Sequence, residues 1–66
     1  MLKIIADNQM TRRRRLHYIL DDHENLLFTA PKFGDCLEWL WNNEHRKVIV
    51  EGEKGTYTLN LIREEG

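Results

Sequence analysis

Apolar residues alternate with polar ones along most of this chain, but one stretch has a different period. Between Pro31 and Asn43, Phe33, Cys36, Leu37, Leu40 and Trp41 recur at i, i+3, i+4, i+7 and i+8. That is the stripe along one face of a 3.6-residue helix. Pro31 suits a first helical turn, where its missing N–H has no partner to lose. Asp35 falls near the positive end of the helix dipole, and His45 and Arg46 fall just past the negative end. Gly34 costs up to about 1 kcal/mol inside a helix, so the regular part is expected to begin near Phe33. Asn42-Asn43 is the expected stop, because Asn tolerates the left-handed cap conformation. Trp39 lies about 60° outside the stripe on the helical wheel. Either it folds over the edge of the sheet as a half-buried amphipathic ring, or it stands partly exposed as an anchor for a partner.

The flanking segments read as strands. In Leu16–Leu20, Leu16, Tyr18 and Leu20 point one way and His17 and Ile19 the other. Asp21–Asn25 is a polar turn, and Leu26–Thr29 returns with Leu26 and Phe28 on one face. After the helix, Lys47–Glu51 and Thr56–Ile62 form a second strand pair around Gly52–Gly55, with Tyr57, Leu59 and Leu61 sharing a face. Leu2, Ile4 and Ile5 make Met1–Ala6 an optional first strand, followed by a turn-like Asp7-Asn8-Gln9.

The expected fold is therefore α+β: a small antiparallel sheet of four strands, or five with the N-terminal segment, with one helix packed on one face. The expected core is Leu16, Tyr18, Leu20, Leu26, Phe28, Val48, Val50, Tyr57, Leu59 and Leu61 under the helix stripe. The opposite face would then show His17, Ile19, Leu27, Ile49, Thr58, Asn60 and Ile62, which is too apolar for plain solvent surface. A dimer, a partner or the chain's own N-terminal segment is expected to cover it.

With 66 residues, the expectation is one domain over 1–66, with 1–11 as a strand or arm and 63–66 as a frayed tail. A chain of this size buries only about 60% of its unfolded surface. Small domains without staples often gain stability by oligomerising, so a homodimer is expected. The single cysteine forms no internal disulfide, which fits a reducing, cytoplasmic setting. The apolar run at the N-terminus is too short for a signal peptide or a membrane span, so no membrane contact is expected.

The net charge of −1 hides an asymmetry. Residues 1–20 carry +4, from Lys3 and Arg12–Arg15 against Asp7, and the remainder carries −5. Arg12, Arg13, Arg14 and Arg15 are the most conspicuous polar feature, since arginine reads phosphates and guanine edges. On a strand, however, they would alternate between faces, and a near-neutral chain is poorly suited to strong non-specific nucleic-acid binding. A charged strand edge that resists aggregation explains them as well.

The remaining chemistry is sparse. Asp21-Asp22-His23-Glu24-Asn25 lacks the glycine and distant glutamate of a calcium loop. Cys36 and the three histidines have no metal-ligand spacing. Cys36 lies on the apolar stripe as a small core residue, and the chain contains no serine. No catalytic residue, metal or cofactor is expected. The size and layout are similar to those of small single-domain proteins common in bacteria and their phages, a likeness that carries over no residue. The expected function is a non-enzymatic protein-interaction module, a regulator or inhibitor of a larger protein. Its contacts would be Trp39 with Glu38 and Asn42, or the sheet face bearing Ile19, Ile49 and Ile62. The alternative is a nucleic-acid-binding module using Arg12–Arg15.

Overall fold

Five strands and one helix form a single mixed sheet with the helix on one side: β1 Lys3–Ala6, β2 His17–Leu20, β3 Leu26–Ala30, α1 Phe33–Asn42, β4 Lys47–Gly52 and β5 Gly55–Asn60. The structure is a computed structural model and describes residues 1–6, 16–52 and 54–62. Across the sheet the strands run β3-β2-β1-β4-β5. The expected α+β class holds, and the optional fifth strand is present at the centre. Its pairing with β4 is parallel, while every other neighbouring pair is antiparallel. The sheet is therefore mixed rather than wholly antiparallel. The reason is topological: a helical crossover from β3 to β4 returns the chain in the direction of β1.

The core is centred on one row of side chains that crosses all five strands, of which Tyr57, expected in the core, is exposed at the β5 end. Phe28, Ile19, Ile4, Val50 and Tyr57 are successive cross-strand partners and share the helix-facing side. Val48 and Leu59 form a second rung on that side, with Leu2 packed against the cluster. Ile4, Ile19, Cys36, Leu40 and Val48 are fully buried.

The face of β2 is the reverse of the expected one. Ile19 is buried beneath α1, whereas Tyr18 and Leu20 face the other way with Ile5 and Lys3. Both faces of β2 are apolar, so alternation alone does not choose between them. The choice falls to the partners, Ile4 on one side and Phe28 on the other. A register shift opposite Ile19/Leu20 pairs Leu20 with Leu26, so Leu26 leaves the Phe28 side and is exposed. Phe28, Val48, Val50, Tyr57 and Leu59 take the expected face, and Leu61 packs against the core.

The helix begins at Phe33, as Gly34 suggests, with Asp35 in its first turn. It stops at Asn42-Asn43 as expected, but the left-handed residue is not one of the asparagines. Asn43 is the C-cap at φ −100, and Glu44 takes the left-handed position at φ 65. The Glu44 N–H donates to the Trp41 carbonyl at 3.1 Å and the His45 N–H to the Leu40 carbonyl at 2.9 Å. This crossed pair of bonds is a Schellman motif, with a glutamate where glycine is usual. Asn43 contributes its side chain, which donates to the Trp39 carbonyl at 2.7 Å.

Candidate protein interaction site

The helix covers one side of the sheet, and no element of the described residues packs on the other. Two rows of side chains cross that open face. The first is Leu26, Leu20, Lys3, Ile49 and Thr58; the second is Thr29, Tyr18, Ile5, Glu51 and Thr56. Ile5, Tyr18, Leu20 and Ile49 are half-buried, and Leu26 is 56% exposed. Threonines flank this apolar centre on both edge strands. Lys3 lies between Leu20 and Ile49, its Nζ 3.2 Å from a Glu24 carboxylate oxygen and 3.9 Å from one of Glu51. An apolar centre with polar margins is the anatomy of a protein contact surface.

Of the residues expected on this face, Ile49 lies near its middle. Ile19 does not contribute, because it is fully buried on the helix side. Ile62 is 85% exposed but lies beyond β5, beside Gly34, Leu37, Glu38, Trp41 and Leu61 in a groove against the helix. The members that sequence reasoning left out are Ile5, Tyr18, Leu20 and Leu26. Ile5 was legible only as an apolar position, and Tyr18, Leu20 and Leu26 were expected in the core, because the side they take depends on strand pairing and on the register shift in β3.

Trp39, Glu38 and Asn42 are brought together. With Phe28, Ala30 and Asp35 they line a shallow depression of about 340 Å³ between α1 and the β3 edge. Trp39 is not a free anchor there. Its indole stacks on Phe28, with centroids 5.5 Å apart, and on His45 at 6.1 Å, and it packs against the core. The helical wheel accounts for this. With the buried centre of the stripe at Cys36 and Leu40, Trp39 and Leu37 flank it at about 80° on either side, while Trp41 lies about 120° away. Trp41, expected in the core, is instead half-buried beneath the Arg46 guanidinium, 3.7 Å from its ring centroid. Arg46 also donates to the Trp41 carbonyl at 3.0 Å, which places its charge at the negative end of the helix.

A cleft of about 230 Å³ opens on the helix side, lined by Ile4, Ala6, His17, Phe33, Val50 and Tyr57 among others. The His17 ring meets Phe33 edge-on at 5.8 Å, and its Nδ1 is buried without a hydrogen-bond partner among the described residues. Cys36 is fully buried, and that burial, with Asp35 adding its charge, pushes its thiol pKa up. Among the described residues no group of His, Cys, Asp or Glu is placed to hold a metal ion, and no helix is long and apolar enough to cross a membrane. Arg12–Arg15 and the expected tail 63–66 lie outside the described residues. In comparisons with protein-family models, curated proteins and solved structures, no family, protein or structure matches this chain.

Proposed function

We propose that this chain is a non-enzymatic protein-binding module that regulates a larger protein by docking on it through the sheet face opposite α1. The observation that carries this reading is the pair of rows on that face. Ile5, Tyr18, Leu20, Leu26 and Ile49 form a contiguous apolar patch with no element of the described chain packed on it. Covering such a patch contributes roughly 25 cal/mol per Å² of apolar surface removed from water. Lys3, already beside two carboxylates, gives the patch a polar mark that a partner must match.

The test is affinity capture from the native cell, comparing the wild-type chain with Ile49→Lys. Ile49 is only half-buried and faces outward, so a lysine there leaves the core under α1 intact. The same partner should be retained by wild type and lost by Ile49→Lys, with both chains giving the same circular dichroism spectrum. A folded Ile49→Lys chain that keeps the partner at unchanged affinity would rule out this face.

A further inference from the structure

The two edges of the sheet are unlike. The β3 edge carries the devices that block strand addition: a register shift opposite Ile19/Leu20, Pro31 immediately after its last residue, and α1 alongside through the Phe28–Trp39 stack. The β5 edge carries none of them. Its six residues pair with β4 without a break, from Lys47↔Asn60 to Gly52↔Gly55. The strand Gly-Thr-Tyr-Thr-Leu-Asn contains no charge and no proline, and every residue except Leu59 is exposed. Every second residue directs its backbone N–H and C=O away from β4, on the side where no described strand lies.

We propose that β5 is a self-pairing edge, on which a second copy of this chain adds its own β5 antiparallel to make a continuous ten-stranded sheet. The occupant follows from symmetry and charge. A two-fold axis normal to the sheet brings a strand against itself, so a charged residue at or next to the axis would face or neighbour its own like charge. A wholly uncharged strand avoids that cost, and β5 is one. With the axis at Thr58, residues 55–61 pair in full. Tyr57 of each copy then meets Leu59 of the other on the helix side, and Thr56 meets Asn60 on the open side. Lys54 falls outside the paired segment. Tyr57, 54% exposed in the single chain, gains a neighbour. Both open faces lie on the same side of the joined sheet, so the dimer presents the Ile49 patch twice. The interface is small, so dimerisation is expected in the micromolar range, on the order of 1–50 μM.

Sedimentation of the full chain across that concentration range tests the proposal. Wild type should pass from monomer to dimer. Thr58→Lys opposes two ammonium groups at the axis and should weaken dimerisation at least about tenfold. Ile49→Lys should dimerise as wild type does, which separates this proposal from the partner-docking face. Thr58→Cys should form an intermolecular disulfide under mild oxidation. Directly opposed residues in an antiparallel pair lie about 4.5–5.5 Å apart at Cα, within disulfide reach, and Cys36 is buried and does not compete. A wild-type chain that stays monomeric overturns the proposal and leaves the edge to a strand from another protein. A dimer broken by Ile49→Lys but not by Thr58→Lys, or one crosslinked through Thr29→Cys on β3 and not through Thr58→Cys, also overturns it.

Discussion

The aromatic residues divide the surface of α1 between packing and capping. Trp39 lies between Phe28 and His45 and ties the helix to the edge strand β3. Truncating a fully buried Trp costs about 3–5 kcal/mol, and Trp39 is only half-buried, so Trp39→Ala should cost about 2 kcal/mol. A urea titration with unchanged slope would measure this, and a change under about 0.5 kcal/mol would show that the stack carries no stability. A binding defect in Trp39→Ala is therefore to be read only after correction for unfolded chain. Glu44 is the opposite case, because its φ of 65 puts a side chain where L-residues are strained. Glu44→Gly keeps both crossed hydrogen bonds, since they come from the backbone. The substitution should raise stability by about 0.5–1 kcal/mol, seen as a higher thermal midpoint. Sequence reading placed the helix end at Asn42-Asn43, where it falls, but assigned the left-handed role to an asparagine rather than to Glu44. Cap geometry depends on where the last carbonyls point, and residue preference indicates that only on average.

At the scale of elements, one carboxylate bridges the turn of the β2–β3 hairpin. Asp21 accepts from the His23 N–H at 2.8 Å, the Asn25 N–H at 2.9 Å and the Asn25 side-chain amide at 3.1 Å. The backbone bond from Asn25 is the main cause of its lowered pKa; partial desolvation opposes it, and the Asn25 amide and His23 add to it. A depressed folded pKa gives stability that is fully present above the unfolded value. That stability is lost as pH falls through the folded one. The thermal midpoint of wild type should therefore exceed that of Asp21→Ala at pH 5, and the gap should narrow as pH drops below about 4. A gap that stays constant down to pH 2 would mean the ionised carboxylate is not what holds the turn. The hairpin and its polar turn were legible in the sequence, because Asp21–Asn25 has turn chemistry between two apolar runs. The side that β2 turns to the helix was not. Leu16, Tyr18 and Leu20 outnumber His17 and Ile19, but a strand inside a sheet is apolar on both faces, and counting then loses its power.

At the scale of the whole molecule, β1 is the element on which the rest depends. Among the described residues the four other strands form two hairpins, β2–β3 and β4–β5, and β1 pairs with both. Periodicity showed Leu2, Ile4 and Ile5 as a short apolar run, but four residues carry no signal of position in a sheet. The central place of β1 arises from a parallel pairing with residues more than forty positions away, Ile4 with Val50. Ile4 is 1% exposed, lies between Ile19 and Val50, and is the middle rung of the five-strand row. Ile4→Ala removes buried methyl groups at the joint between the two halves and should cost about 2–5 kcal/mol. A domain of this size has only a few kcal/mol to lose, so much of the chain should unfold at 37 °C. Ile5→Ala is the matched control, one position along the same strand but on the open face. Its ring of neighbours is half-solvated, so the loss should be nearer 1 kcal/mol. The comparison holds side-chain size, strand and sequence position constant and changes only the face. A loss for Ile5→Ala equal to that for Ile4→Ala would mean the open face is packed as tightly as the core. A loss for Ile4→Ala below 1 kcal/mol would mean the two hairpins do not need β1 to join them.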